Sequence, residues 1–148
     1  MITIDSREKK ISHITAALNK LQVPYEIKKL DYGDYADSDN TKVIVDRKQN
    51  LSEIAQNLCS KDNRRFWNEI RGAHKAGIKI IVICEHGPEI KNIRDVAKWK
   101  NPYSQVVTGN WLVSEMFKLQ MAYGVEWRFC TKAETTAEIL KALRGKHG

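Results

Sequence analysis

A chain of 148 residues, 42% hydrophobic and 29% charged, is long enough to bury one core and reads as globular rather than disordered. Lysine and arginine total 25 against 18 acidic residues, a formal charge of +7 that suits an anionic partner, of which nucleic acid is the commonest. The longest apolar run, Ile78 to Cys84 interrupted by Lys79, is far short of a membrane span, MITIDSREKK has no secretory apolar region, and no G-x-x-x-x-G-K-[ST] loop for a nucleoside triphosphate occurs.

Met1 to Ile4 reads as a short strand, after which Asp5 begins a helix whose apolar positions are Ile11, Ile14, Leu18 and Leu21. Val23-Pro24 stops that helix, because the residue before proline avoids the α region. Tyr25 to Leu30 reads as a second strand. Asp31 to Asp34 and Asp37 to Thr41 are polar turns, and Lys42 to Arg47 is the third strand. Asn50 and Glu53 have capping-box spacing ahead of a helix with Leu51, Ile54, Ala55 and Leu58 on its apolar face.

A further helix is expected from about Asp62 to Ala76, with Phe66, Ile70 and Ala73 on one side and Arg64, Arg71 and Lys75 on the other, ended by Gly77. Ile78 to Cys84 has the composition of a strand buried on both faces. His86-Gly87-Pro88 breaks it, and Ile90, Ile93 and Ala97 suggest a short helix before the Asn101-Pro102 loop. Asn110 is placed to cap a helix carrying Leu112, Met116, Leu119 and Tyr123, closed by Gly124. Val125, Trp127 and Phe129 alternate as a final strand, and a Thr131/Glu134 capping box precedes a last helix with Ile139, Leu140 and Leu143. Gly145 to Gly148 forms a basic tail. The order β-α-β-β-α-α-β-α-α-β-α, with no repeat or linker, implies one α/β layered domain over residues 1–148, built on a mixed sheet flanked by helices. Cys59, Cys84 and Cys130 form no C-x-x-C pair, and two of them end apolar runs, which points to buried thiols in a reducing, cytoplasmic setting.

The chemistry concentrates between Gly33 and Lys48. Strand alternation turns Asp46 and Lys48 one way and Arg47 the other. If the intervening turn folds the segments into a hairpin, Asp34 lands beside Asp46. Two carboxylates that close repel unless a cation joins them, and hard oxygen ligands suit Mg²⁺. Spacing alone is equally met by a surface hairpin, with Asp34 as turn chemistry and Asp46 and Lys48 on a solvated face. Asp5 and Glu8 add two acids at the end of the first strand, a pair that an N-cap also explains. The basic face of the fourth-segment helix suits phosphates and solvent alike. The four tryptophans suit base stacking or packing.

Taken together, Asp5-Ser6-Arg7-Glu8, Gly33-Asp34-Tyr35, Asp46-Arg47-Lys48 and the buried strand ending Val82-Ile83-Cys84-Glu85 resemble, in order, the nuclease domain of the XPF-type structure-specific endonucleases. That group is a branch of the PD-(D/E)XK superfamily, and this chain is similar to its small stand-alone bacterial or phage versions. The resemblance implies a restriction-endonuclease-like three-layer fold and a Mg²⁺-dependent DNA endonuclease, with Mn²⁺ able to substitute. It further implies activity at branched or flap DNA in repair or recombination, and a homodimer formed through the nuclease domain. It makes Asp34 and Asp46 the metal ligands, Lys48 the catalytic lysine, and Asp5 and Glu8 the rest of the acidic cluster. Arg7, Arg47, Arg64, Arg65, Arg71 and Lys75 become the candidate DNA contacts. Two positions depart from the pattern: Asp46 stands for Glu, and Ser52 stands where a further acid is expected, with Glu53 next to it. A catalytically silent DNA-binding or scaffold subunit is the alternative, and a basic interaction protein is a third class.

Overall fold

The computed structural model describes residues 1–59 and 63–145. The expected helix start at Asp62 and the tail beyond Gly145 lie outside the described residues. The described chain forms strands β1 (Ile2–Asp5), β2 (Tyr25–Lys28), β3 (Tyr35–Asp37), β4 (Asn40–Lys48), β5 (Lys79–Cys84) and β6 (Glu126–Phe129). Its helices are α1 (Ser12–Lys20), α2 (Leu51–Cys59), α3 (Arg64–Lys75), α4 (Gly109–Tyr123) and α5 (Thr135–Arg144). Single 3₁₀ segments, Ile93–Lys98 and Lys132–Glu134, precede α4 and α5.

The strands make one mixed sheet in the order β2-β1-β3-β4-β5-β6. β3 pairs antiparallel with both β1 and β4, while β4, β5 and β6 run parallel. Parallel neighbours need a crossover; α2 and α3 supply it between β4 and β5, and α4 between β5 and β6. Alternation along the strands then makes two cores. Ile44, Ile80, Val82 and Cys84 pack against α2, α3 and α4, and Val43, Val45, Ile81 and Ile83 pack against α1 and α5. Each fully buried Ile or Leu stabilises this sandwich by roughly 1.5–3 kcal/mol. The result is the helix–sheet–helix layering that the resemblance implies.

The differences from the sequence reading are local. β3 is a sixth strand that three residues, Tyr35-Ala36-Asp37, are too few to announce by pattern. Asp5 does not begin a helix. It is paired within β1, and α1 starts only at Ser12. Leu21, expected on the apolar face of α1, is its C-cap and is 57% exposed. Thr108, not Asn110, caps α4 through its hydroxyl, which accepts from Trp111 N. Gly109 follows because a Cβ there would stand 2.3 Å from the Val96 carbonyl oxygen. Trp127 donates its indole N–H to the Met116 carbonyl, and Trp67, Trp99 and Trp111 pack partly buried against the α2–α4 core.

Candidate active site

The registers bring four segments to one rim of the sheet. Ile4 pairs with Tyr35 and Tyr35 with Val45, so Asp5, Asp34 and Asp46 follow side by side. Lys48 pairs with Cys84, which places Glu85 next along the same rim. Asp34 is tied down by its backbone: its N–H donates to Val45 O at 2.8 Å, and its carbonyl accepts from Asp5 N at 2.8 Å. Its Oδ2 accepts from Arg47 N at 2.8 Å. Gly33 makes the approach to this corner feasible. It sits at φ +71°, and a Cβ there would come within 2.5 Å of Ile44 Cδ1. Any L side chain would be strained in conformation and would also collide.

A cavity of about 230 Å³ opens at this corner, lined by Glu8, Asp34, Asp46, Arg47, Lys48, Glu53, Asn57, Asn63, Arg65, Phe66 and Glu69. Lys48 Nζ lies 3.5 Å from Asp46 Oδ2 and 5.5 Å from the centre of the Phe66 ring. Five carboxylates face three cationic side chains here, a local excess of negative charge in a chain of formal charge +7. Burial, then the Asp46 charge and then Glu8 push the Asp34 carboxyl well above its usual range. A protonated Asp34 also shares a hydrogen bond with Asp46. Glu69 is raised by burial and by Asp46, against Arg65, Arg7 and Lys48. Glu8 is raised by burial and by Asp46, against the Tyr35 hydroxyl and Arg47. Burial draws the Lys48 ammonium down, but Asp46, Asp34 and Glu53 together carry it above its ordinary value, so it stays charged at neutral pH.

These shifts set a pH dependence. A carboxyl whose folded pKa is raised binds its proton more tightly in the folded state. Its contribution to stability is therefore full below the unfolded value, 3.8 for Asp34, and is lost as pH rises through the folded value. In metal-free buffer, the thermal midpoint of the wild type relative to Asp34→Asn should fall as pH is raised from 4 to 8, starting from the 3.8 reference. Parallel melting curves of the two proteins in chelator check this. A constant difference across that window would mean that Asp34 carries no such strain.

Behind the cavity, Arg47 is almost completely buried, 1% exposed. Its Nε donates to Glu8 Oε2 at 3.0 Å, its Nη1 to Glu85 Oε1 at 2.9 Å, and its Nη2 to the Lys9 carbonyl at 2.7 Å. His13 Nε2 lies 2.7 Å from Glu85 Oε2, which also accepts from the Thr135 hydroxyl. The Tyr35 hydroxyl donates to Glu8 Oε2 at 2.7 Å. The expectation that Arg47 contacts DNA does not fit this burial: the guanidinium pins the segment carrying Glu8 onto the sheet instead. Asp5 is also placed differently from expectation. Its carboxylate, 2% exposed, is taken by Arg7 Nε at 2.9 Å and Leu30 N at 2.9 Å, and does not line the cavity. It anchors the ends of β1 and β2.

Among the other basic candidates, Arg65 lines the cavity and, with Arg7, Lys29, Asn68 and Glu69, an adjoining groove of about 570 Å³. Arg64 and Lys75 are exposed on α3, and the Arg71 guanidinium lies 5.7 Å from the centre of the Trp67 ring. These three line neither the cavity nor the groove. Glu69, Asn57 and Asn63 are cavity residues that sequence reading passes over. Helical spacing was the available signal for two of them, since Glu69 is four residues from Arg65 and Asn57 four from Glu53.

Asp34 and Asp46 fit a divalent cation. They are crowded, mutually repelling and oxygen-bearing, and Asp34 is raised for want of a compensating charge. Among the described residues no three His, Cys, Asp or Glu side chains converge on one point. A cage made by protein alone is therefore not on offer, and the arrangement suits Mg²⁺, which keeps several waters and takes one or two carboxylates plus phosphate.

A family model described as the ERCC4 domain matches residues 4–143. Among solved structures, XPF from Aeropyrum pernix is similar, with 26% identity and a TM-score of 0.70 over 97% of this chain and 63% of that one. The same archaeal protein in complex with DNA gives 25% identity and a TM-score of 0.67 over 97% of this chain and 62% of that one. The chain thus spans less than two thirds of the length of the archaeal chains it matches. No curated protein matches it.

Proposed function

The chain belongs to the ERCC4 domain family, and from that premise we propose that its 148 residues act as one domain, an endonuclease that hydrolyses DNA phosphodiester bonds with Mg²⁺, Mn²⁺ substituting. Its substrates are branched or flap DNA of repair and recombination, processed in the cytoplasm. The observation that carries this reading is the cavity in which Asp34, Asp46 and Lys48 meet beside Arg65. Asp34 and Asp46 are the residues that would hold the cation, which when bound polarises a phosphoryl oxygen and lowers the pKa of a water. Lys48, kept charged by the acids around it, neutralises charge that builds on the phosphate as the bond breaks. Arg65 receives the phosphate backbone at the mouth, and Arg7 and Lys29 continue that path along the groove. Glu8 stays in place because Tyr35 and Arg47 hold it.

A complex with DNA is known for the archaeal XPF, and the +7 charge supports the same class of partner here. Phe117 and Met121, one turn apart on α4, are 40% and 83% exposed, with Tyr103 and Val106 also exposed before the helix. Such a surface supports a homodimer. Among the described residues, no helix is long and apolar enough to cross a membrane.

The test is incubation of the purified chain with matched flap, fork and linear duplexes, with Mg²⁺ or with chelator. Mg²⁺-dependent cleavage favouring the branched substrates is expected. Binding without cleavage under any divalent ion would make the chain a silent subunit, and failure to bind DNA at low salt would overturn both readings.

A further inference from the structure

The position of the missing acid, Ser52, does not line the cavity, whereas its neighbours on the same helix, Glu53 and Asn57, do. They are one turn apart on α2, so they share a face. Asn50 Oδ1 accepts the Glu53 backbone N–H at 3.0 Å, but the Glu53 carboxylate does not return to Asn50 and instead lines the cavity, where its charge acts on Lys48. Asn57 Oδ1 is shut off from solvent and has no hydrogen-bond partner, a condition shared among the described residues only by Arg128 Nη1. A buried acceptor without a donor is costly to keep and calls for a reason. The terminal amide torsion is broad and two-fold, so a modest rotation swings that oxygen toward the cavity.

Resting on the nuclease reading above, we infer that α2 completes the divalent-cation site through Glu53 and the Asn57 amide oxygen, in place of an acid at Ser52. The surroundings select a cation over a phosphate for Asn57. The acidic lining attracts positive charge, and Lys48 and Arg65 already offer the donors a phosphate needs. A second acidic oxygen and a neutral amide oxygen add to Asp34 and Asp46 without adding a fourth full charge, which suits an ion that retains waters.

The test is Mn²⁺ binding to the full chain without DNA, followed by electron paramagnetic resonance, in wild type, Glu53→Gln, Asn57→Leu and Asp34→Asn. Glu53→Gln and Asn57→Leu should each weaken binding roughly 10-fold, the range for groups that orient or support a metal shell, and Asp34→Asn should abolish it. Removing an unpartnered acceptor should leave the metal-free melting midpoint of Asn57→Leu level or higher, while the rise on adding Mn²⁺ should shrink. Should Asn57→Leu fail to fold, Asn57→Asp keeps the acceptor and must bind Mn²⁺ at least as tightly as wild type. Wild-type affinity in either Glu53→Gln or Asn57→Leu, with Asp34→Asn still deficient, would overturn the inference and leave the nuclease reading intact. Undiminished binding in Asp34→Asn would bring down the nuclease reading itself.

Discussion

Asp46→Ala is expected to lower Mg²⁺-dependent cleavage by roughly 10³-fold or more, because the several kcal/mol of charge stabilisation supplied by a held cation leaves with its ligand. The fold should survive. Asp46 ends β4 at the rim, and its one ion pair is with Lys48 at 3.5 Å. Removing it also lifts a repulsion, since its charge is the second cause, after burial, holding Asp34 high. The metal-free variant should therefore melt at or above the wild-type temperature. DNA affinity in chelator should be unchanged or slightly tighter, because one negative charge has left a cavity bordered by Arg65. Single-turnover cleavage of a labelled flap duplex, anisotropy titration in chelator and thermal melting measure the three quantities. Retained cleavage in a folded Asp46→Ala would remove the reason for placing the chemistry in this cavity. Lost cleavage together with lost folding would make Asp46 structural.

What the sequence reveals about this site is set by the length over which a physical pattern repeats. Ile78 to Cys84 is legible because both its faces are buried, and Asp46 and Lys48 are legible as a pair because a strand has period two. The hairpin that sets Asp34 beside Asp46 follows from the turn between them. β3 escapes, because a three-residue strand is defined by its partners and shows no internal period. Asp5 and Glu8 have capping-box spacing, but competition for the Asp5 carboxylate is decided by Arg7 and by Leu30, which is 25 residues away. The same limit hides the acidic character of the cavity. A chain of +7 conceals it, since Glu8, Glu53 and Glu69 reach the cavity from three separate elements. Arg47 and Arg65 are both arginines in basic surroundings; only the sheet tells them apart, turning one inward toward Glu85 and leaving the other on α3 at the cavity mouth.

That contrast makes Arg47→Met the second large expectation, and its signature is stability rather than DNA affinity. The substitution keeps the length of the side chain but strips Glu8 and Glu85 of their shared cation, and they are 11% and 3% exposed. Breaking a buried ion pair from one side leaves an uncompensated charge and costs about 3–5 kcal/mol. The carbonyl of Lys9 loses a donor as well. Urea denaturation should show this as a lower midpoint with an unchanged slope. The sign of its pH dependence follows from Glu8, whose carboxyl is already raised by burial and is held down in part by Arg47. Without the guanidinium its folded pKa rises further, the folded state holds the proton more tightly, and the deficit should shrink as pH is lowered toward about 5. Asp34 should keep its place, because the donor it uses is the backbone N–H of residue 47, which any side chain leaves intact. Cleavage by the fraction that remains folded should therefore fall far less than in Asp46→Ala. A grip on DNA predicts the reverse pattern: wild-type stability, weaker binding in chelator and a shallower salt dependence. The two outcomes share no observable, so one denaturation curve and one binding titration decide whether this arginine faces the substrate or holds the segment carrying Glu8 against the sheet.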